Sequence, residues 1–309
     1  MRKILMNRKP INGPWGGGNL FVRAISENAK QYGCEIVYRI EKDIDAILMI
    51  DPRYDDLGIS ANEIKSYKIE NPKVKVVHRV NECDARKATS DMDAMLSSCS
   101  YFTDATVFVS RWIKDYFTSK NSNIRSKNSI PWACSKQHVV YNGVNHQHFR
   151  LAYNKINTKT KIIAHHWSNN QLKGFDIYDK IDKWIKNNNE YEFVYIGRSQ
   201  GRFKNAQIIN PIFGKKLGDE LQNGDIYVSA SRWDPGPNHI IESLSCEIPT
   251  FVHEDGGGAV EFAGQDATYS SFEDLIEKFK RKEFPTKRGW EFSWNDCAQK
   301  YFKIIEDIC

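Results

Sequence analysis

The chain lacks any apolar run long enough to span a membrane. None of its stretches approaches the roughly 20 consecutive apolar residues that a spanning helix needs. The opening segment is interrupted by Asn7, Arg8 and Lys9, so it also lacks the continuous apolar centre of a secretory signal. These absences predict a globular protein that stays in the cytoplasm.

Cysteine is sparse and irregularly placed. The 7 cysteines are odd in number and no two of them are spaced as CxxC, the spacing that is typical of structural zinc sites. A disulfide framework is therefore not expected, and the pattern is typical of a protein in a reducing compartment.

A strong charge of either sign is missing as well. The 44 Lys and Arg residues exceed the 39 Asp and Glu residues by only +5. An excess this small gives little reason to expect a nucleic-acid partner, even with the basic stretch from Lys120 to Lys136. Contact of basic loops with an anionic membrane surface stays open. Neither a GxxxxGK[ST] loop nor a GxGxxG loop occurs, which disfavours P-loop hydrolases and dehydrogenases.

What the chain has is a regular alternation of short apolar runs and polar helical stretches. Its 309 residues, 40% of them apolar, suffice for two domains of roughly 150 residues each. The alternation predicts parallel β-α units in both halves. A polar stretch from Arg150 to Thr160 marks the boundary, so we predict domains over residues 1–150 and 151–290. The predicted strands are Lys3 to Met6, Glu35 to Tyr38, Ala46 to Ile50, Val74 to Val77, Thr106 to Ser110, His138 to Tyr141, Lys161 to His165, Glu192 to Ile196, Gln207 to Ile209, Ile226 to Ser229 and Thr250 to His253.

A turn rich in proline and glycine, from Asp234 to Glu242, leads into a predicted helix that begins near Asn238. The unpaired amides and the positive dipole end of a helix start can hold a diphosphate. Glu242 lies about one turn inside, where its two oxygens can accept hydrogen bonds from a ribose diol. An ordinary helix start with an exposed glutamate fits the same spacing equally well.

This segment resembles the signature of retaining glycosyltransferases with the GT-B fold, of the large family 4 type. The signature is an acidic residue, seven others, then Glu, followed by a small-residue helix, Pro, a strand and a glycine loop. Asp234 stands where the family usually has Glu. Further segments match in the family's order over nearly the whole chain. They are Gly16 to Asn19, Phe108 to Trp112, Val140 to Asn145, His166 to Asn169, Lys173 to Asp176, Gly256 to Gly258 and Phe292 to Ile305.

The resemblance implies an α/β protein with two facing, Rossmann-like, doubly wound domains and a cleft between them. It also implies that the C-terminal helix, residues 291–309, crosses back onto the first domain. The second domain would bind the nucleotide sugar, and the first would face the acceptor.

Arg198 and Lys204 fall at positions similar to the family's phosphate-binding cations. Fixed cations stabilise the charge that a departing nucleoside diphosphate accumulates. A solvated basic loop is the alternative, with Arg202 as a competing cation. The predicted donor-binding residues are Gly17, Gly18, Asn19, Arg198, Lys204, Pro237, Asn238, His239, Ile240 and Glu242, and the predicted catalytic residues are His78, Arg198, Lys204 and Asp234.

The polar segment from His78 to Asp84 follows a predicted strand, at the end where sites form in α/β sheets. Similar segments in the family face the sugar and the acceptor. His78 is a candidate to hydrogen-bond a sugar hydroxyl or the developing charge, and a structural histidine explains it as well. The predicted acceptor-side residues are Asp51, Arg79, Asn81, Asp84 and Arg86.

Two Asp-x-Asp sequences match the motif that binds a metal ion and a diphosphate in a different glycosyltransferase fold. Asp43 to Asp45 precedes a strand and Asp91 to Asp93 lies in a polar helical stretch, so we expect surface acids at both. The pairs His146/His148 and His165/His166 lack further ligands at suitable spacing. No metal and no cofactor are therefore expected.

Together these features predict a metal-independent, retaining glycosyltransferase. It would move a hexosyl or pentosyl group from a nucleotide sugar of the UDP or GDP type to a glycan, lipid-linked or small-molecule hydroxyl. The alternative is a GT-B protein that binds a nucleotide or sugar without transferring it, which the Asp234 substitution keeps open. The sequence leaves the base, the sugar, the acceptor and the oligomeric state unspecified.

Overall fold

The computed structural model describes residues 1–13, 15–54, 58–119, 130–151, 157–199 and 201–309. The chain divides into two compact units. Unit 1 is Met1–Gly143 together with Trp294–Cys309, and unit 2 is Val144–Ser293. The boundaries predicted after residues 150 and 290 lie a few residues from these divisions. Much of the basic stretch at 120–136 and of the polar stretch at 150–160 lies outside the described residues.

Unit 1 contains a parallel sheet of six strands in the order β2-β1-β3-β4-β5-β6. All four residues of β3 are buried, because helices cover both faces of such a sheet, and this is why its strands read as continuous apolar runs. The strand order reverses between β1 and β3, the position at which doubly wound sheets bind ligands. The strands are β1 (Arg2–Met6), β2 (Cys34–Val37), β3 (Ala46–Met49), β4 (Lys75–Val80), β5 (Ala105–Phe108) and β6 (Gln137–Val139).

The helices of unit 1 begin where the sequence offers capping groups. Ser110 Oγ accepts the backbone N–H of Ile113 at the start of the helix after β5. Ser60 and Glu63 form a reciprocal capping box at the start of α2, which satisfies two otherwise unpaired amides. The helices are α1 (Gly17–Asn28), α2 (Ala61–Glu70), α3 (Met92–Cys99), α4 (Arg111–Thr118) and, at the end of the chain, α10 (Trp294–Ile308).

The C-terminal helix packs on the first helix of unit 1. The rings of Phe21 on α1 and Tyr301 on α10 have centroids 4.7 Å apart. Both belong to an apolar cluster that also includes Ile4 and Leu48 from the sheet. Burial of these large side chains, each stabilising by about 1.5–3 kcal/mol, holds α10 against the rest of unit 1.

Unit 2 contains a second parallel sheet of six strands, in the order β12-β11-β10-β7-β8-β9. The order reverses between β7 and β10. The strands are β7 (Thr160–His166), β8 (Tyr191–Gly197), β9 (Gln207–Ile209), β10 (Ile226–Ser229), β11 (Thr250–His253) and β12 (Thr268–Tyr269). The helices are α5 (Phe175–Ile185), α6 (Lys215–Gln222), α7 (Asn238–Ser245), α8 (Gly258–Ala263) and α9 (Phe272–Arg281).

Every predicted strand exists, and its ends shift by at most three residues. All seven cysteines are free. Among the described residues, no helix combines the length and the apolar character that a membrane crossing requires.

Candidate functional site

The carboxyl ends of β7 and β10 lie side by side at the point where the strand order of unit 2 reverses. β7 ends at His166, which pairs in register with Gly197 at the end of β8. The chain leaves β10 after Ser229 and reaches α7 through residues 230–237. Because all these strands are parallel, the segments that follow them share one edge of the sheet, where ligands bind in doubly wound folds.

Glu242 is buried at this edge and hydrogen-bonded to His165. The distance between Glu242 Oε2 and His165 Nε2 is 2.9 Å, and each side chain is 9% exposed. Tyr227 Oη lies 3.1 Å from the other ring nitrogen of the same histidine. An exposed glutamate at an ordinary helix start, the alternative considered from the sequence, is therefore wrong.

Two further histidines pack behind this pair. His166 Nε2 lies 2.6 Å from Tyr178 Oη, and His239 Nε2 lies 2.9 Å from Ser229 Oγ. Burial, aided by the nearby His239, lowers the pKa of His166 well below its usual range, so this ring is neutral. The described residues contain no group of three or more His, Cys, Asp or Glu side chains that could hold a metal ion.

The start of α7 carries the other predicted donor-binding residues. Pro237 is the N-cap, and neither a side-chain cap nor an acidic residue offsets the positive end of the helix in its first turn. Ile240 is fully buried, and its N–H donates to Pro237 at 3.1 Å. A helix end of this kind favours a negative group beside Pro237 and Asn238.

Asp234 is paired with Lys173 below the surface. Asp234 Oδ2 lies 2.5 Å from Lys173 Nζ, and the backbone of Asp234 bridges to Gly257. Gly257 has a φ of +66°, and a Cβ there would lie 2.9 Å from the carbonyl oxygen of Asp234. Only glycine allows this approach, which explains why a glycine loop accompanies the acid.

Lys173 was not among the predicted site residues. The only signal for it was the segment from Lys173 to Asp176, which the resemblance singled out without a role. The next residue, Gly174, has a φ of +86° and lies so close to Ala230 that a Cβ would come within 2.2 Å of Ala230 Cβ. This close contact brings Lys173 to the loop that carries Asp234.

Arg198 and Lys204 are exposed. The guanidinium carbon of Arg198 lies 4.4 Å from the centre of the Trp167 ring. The backbone N–H of Lys204 donates to Asp182 at 3.1 Å, which fixes the loop and leaves the ammonium outside. Within the part of the chain that the structure describes, neither cation forms an ion pair with a carboxylate.

Arg202, the competing cation, has a different environment. Its guanidinium carbon lies 5.0 Å from the centre of the Phe175 ring, and Nη1 lies 3.9 Å from Asp179 Oδ2. Arg202 therefore already interacts with a carboxylate of unit 2, whereas Arg198 and Lys204 are better placed to bind an anion.

In unit 1, β4 continues through His78 and Arg79 to Val80, three residues beyond the predicted end. His78 therefore lies inside the strand and is fully buried. Neither ring nitrogen has a hydrogen-bond partner among the described residues, and burial lowers the pKa of His78 to about 3. The ring is neutral and stacks on Trp132.

Arg79 is also buried, with 1% of its surface exposed. Its guanidinium carbon lies 4.3 Å from the centre of the Phe21 ring, and Nη2 donates to Asn142 Oδ1 at 2.8 Å. Burial lowers the pKa of Arg79, while Tyr301 acts in the opposite direction. In this arrangement the guanidinium belongs to the core of unit 1, beneath α1, and not to a surface that an acceptor touches.

Asp84 and Asp93 form a buried network at the start of α3. Asp84 Oδ1 accepts the backbone N–H of Met92 at 3.0 Å, and Asp93 Oδ2 accepts the hydroxyl of Tyr116 at 2.6 Å. The expectation of a surface acid is thus wrong for Asp93, which is fully buried. Helix α3 begins beside it, because Asp84 satisfies the first amides of that helix.

The remaining predicted residues of unit 1 lie near the ends of β1, β3 and β4. Asp51 is held by Arg53, whose Nε donates to Oδ1 at 2.9 Å; burial tends to raise the pKa of Asp51, but Arg53 and Arg8 outweigh it and lower the pKa. Arg86 pairs with Glu82 at 3.2 Å.

The glycine loop at the start of α1 is tied to its surroundings by Asn19. The Asn19 side chain accepts the N–H of Ile11 at 2.7 Å and donates to its carbonyl at 2.8 Å. A Cβ on Gly18 would lie 3.7 Å from Asn81 Nδ2, so these two predicted residues are neighbours. Gly17 opens the helix.

The fold matches solved glycosyltransferase structures at low sequence identity. Sucrose-phosphate synthase from Thermosynechococcus elongatus superposes with a TM-score of 0.71 at 12% identity, over 100% of this chain and 99% of that one. The pneumococcal O-GlcNAc transferase GtfA, solved with UDP and GlcNAc, gives 0.62 at 10% identity, over 85% of this chain and 56% of that one. TarM gives 0.56 at 10% identity, over 93% of this chain and 54% of that one.

No protein-family model and no curated protein sequence matches the chain. The chain spans about half the length of GtfA and of TarM and nearly all of the sucrose-phosphate synthase. The likeness establishes the fold: an α/β protein of the GT-B type with two Rossmann-like sheets, as predicted.

Proposed function

We propose that this protein is a glycosyltransferase that moves a sugar from a nucleoside-diphosphate sugar to a hydroxyl-bearing acceptor. One observation carries the proposal. The reversal point of the unit 2 sheet gathers a buried carboxylate, Glu242, an uncapped helix start and a buried Lys173–Asp234 pair. The fold supports it, since the solved structures of similar fold include enzymes that transfer sugars.

Glu242 would hold the ribose of the donor. Its Oε2 accepts from His165, and within the described residues Oε1 has no hydrogen-bond partner. A carboxylate in that state has acceptor capacity for two hydroxyl groups. The start of α7 and the exposed cations Arg198 and Lys204 would bind the diphosphate.

The same cations would stabilise the departing diphosphate. Charge builds up on its oxygens as the glycosidic bond breaks, and fixed positive groups lower the free energy of that state without reorganising. No cofactor is part of this proposal. The family 4 signature supports retention of the anomeric configuration, by front-face attack in which the leaving phosphate takes the proton of the acceptor.

Unit 1 would supply the acceptor side, through Asp51, Asn81 and Arg86 near its strand ends. A glycan, a lipid-linked sugar or a small molecule remains a candidate acceptor. Asp84 and Arg79 would contribute only by supporting the surrounding loops, because both are engaged within unit 1.

The test uses the full chain with a panel of UDP-, GDP- and ADP-sugars and with glycan and lipid-linked acceptors. We expect acceptor-dependent release of one nucleoside diphosphate, loss of that release in E242A, and wild-type rates in the surface control E277A. The anomeric configuration of the product, read by proton NMR, decides between retention and inversion. Saturable nucleotide binding without transfer to any acceptor would favour the binding-protein alternative, and no binding at all would overturn the proposal.

A further inference from the structure

Three side chains from three elements of unit 2 form a buried hydrogen-bonded chain. Tyr227 on β10 contacts His165 on β7 through Nδ1 at 3.1 Å, and His165 contacts Glu242 on α7 through Nε2 at 2.9 Å. Tyr227 is fully buried and the other two are nearly so. These hydrogen bonds cross the point where the strand order reverses, between β7 and β10.

The chemistry of Glu242 fixes the direction of its hydrogen bond with His165. An ionised carboxylate only accepts, so His165 Nε2 must carry the proton that Glu242 receives. Nδ1 of the same ring faces the hydroxyl of Tyr227 at 3.1 Å. Burial raises the pKa of Tyr227 well above its usual range, so this hydroxyl keeps its proton.

This arrangement constrains the carboxylate more than packing alone would. A glutamate side chain has three rotatable bonds and loses rotamer entropy when it is fixed. A donor to one of its oxygens holds the plane of the carboxylate, and Tyr227 in turn holds the ring of the donor. The second oxygen, Oε1, then has a fixed position and has no hydrogen-bond partner among the described residues.

We propose that His165 and Tyr227 are positioning residues, which orient Glu242 toward the vicinal diol of a nucleotide's ribose and so make the site select ribonucleotides over 2′-deoxyribonucleotides. The inference rests on the proposed function, because it takes the donor nucleotide as the ligand. A diol gives each carboxylate oxygen one hydroxyl donor. A 2′-deoxyribose gives only one in total, which leaves a buried oxygen without its partner.

The prediction concerns a ratio of affinities and not only an affinity. If the hydrogen bonds of His165 and Tyr227 position the carboxylate, removing them lets Glu242 rotate. The second ribose hydroxyl then contributes less to the binding free energy. The preference for the ribonucleotide should fall more than the affinity for the deoxyribonucleotide does. A purely structural role would instead lower both affinities together and leave their ratio unchanged.

The experiment measures the Kd of UDP, GDP and ADP and of their 2′-deoxy forms by calorimetry. For whichever base binds, we expect the wild type to prefer the ribonucleotide by roughly tenfold, the size of one lost hydrogen bond to a charged group. H165L and Y227F should reduce that preference several-fold, while H165Q, which keeps an N–H within reach of Glu242, should retain most of it. The double variant H165L/E242A should show the same ratio as E242A alone.

The matched control is Y269F. Tyr269 is a buried tyrosine of the same sheet, and its hydroxyl donates to Ser229 at 3.0 Å without touching Glu242. We expect Y269F to leave the ratio at the wild-type value. Y227F removes a single oxygen atom, so it decides the question even where H165L does not fold.

A second measurement is independent of any ligand. The 15N chemical shifts of the His165 ring should show a proton on Nε2 in the wild type and a changed protonation pattern in Y227F. An Nε2 without a proton, or a ratio unaffected by both H165L and Y227F, would overturn the positioning role. Failure of every nucleotide to bind would instead overturn the proposed function, and the ring shifts would still test the hydrogen-bonded chain.

Discussion

Lys173 Nζ lies 2.5 Å from Asp234 Oδ2, and the two side chains are only 11% and 6% exposed. The residues are 61 positions apart in the sequence. A buried ion pair adds little net stability, since desolvation offsets most of the attraction, but each partner makes the burial of the other tolerable. Asp234 is therefore fixed in place by Lys173, which comes from another segment of the chain.

We expect Lys173→Met to destabilise unit 2 by about 3–5 kcal/mol, because it removes the cation that pairs with the buried carboxylate of Asp234. Urea unfolding measures the change. The double variant K173M/D234L should recover most of the loss. The exposed pair Lys180–Glu273 is the control, and K180M should change stability by less than about 1 kcal/mol. An equally small effect of K173M would show that the pair is solvated.

Glu242→Ala should weaken the binding of the donor nucleotide by about 1–3 kcal/mol, because the ribose hydroxyls lose their acceptor. Calorimetric titration of the nucleoside diphosphate measures this. Unchanged affinity would remove Glu242 from the site.

Trp167→Ala should weaken nucleoside-diphosphate binding by about 0.5–2 kcal/mol, because the indole face no longer holds the guanidinium of Arg198. Trp167→Phe should retain part of the affinity. In an R198A background the same substitution should have almost no effect, and a full effect there would mean that Trp167 acts on the ligand without Arg198. A double-mutant cycle on Kd gives this comparison.

Lys204→Ala should lower kcat more than it raises KM, since a charge that matters most as the diphosphate departs acts on the transition state. Steady-state kinetics with the active nucleotide sugar separates the two constants. Lys215→Ala, at an exposed lysine of α6, serves as the control. A rise in KM with unchanged kcat would contradict this role.

His78 should make the protein less stable as the pH falls. Its pKa is about 3 in the folded state against 6.5 for a free side chain, so below pH 6.5 the unfolded chain binds a proton that the folded chain does not. The free energy of unfolding should decrease by about 1.4 kcal/mol per pH unit from pH 6.5 toward pH 3. Chemical unfolding at several pH values measures the slope, and H78L should show a flatter one.

The sheets were predictable because buried parallel strands carry continuous apolar runs. β3, with four buried residues in succession, shows the pattern at its clearest. The prediction ended β4 too early because His78 and Arg79 look like loop residues, although both side chains are buried in the fold. Helices α2, α6, α8 and α9 and strand β12 are not among the predicted elements. The sequence offered a signal for α2, since Ser60 and Glu63 have the spacing of a capping box.

The candidate site was predictable only where its residues are close in sequence. Asp234 lies in a turn and Glu242 in the helix that directly follows it, so the spacing between them is a recognisable sequence pattern. Their partners Lys173 and His165 are 61 and 77 residues away. The sequence around these partners contains no pattern that predicts the contacts. The left-handed backbone of Trp233, with φ of +51°, is equally hidden in a sequence, because bulky residues rarely adopt it.

The backbone bridge between Asp234 and Gly257 joins the acidic residue to the glycine loop without any side chain between them. The amide of Gly258 donates to the carbonyl of Asp234 at 2.8 Å, and the amide of Asp234 donates to Gly256 at 3.3 Å. The two segments are thus hydrogen-bonded to each other along their main chains. A substitution of Gly257 would therefore displace the carboxylate of Asp234, which lies 23 positions earlier. A change of backbone conformation in one segment requires a matching change in the other.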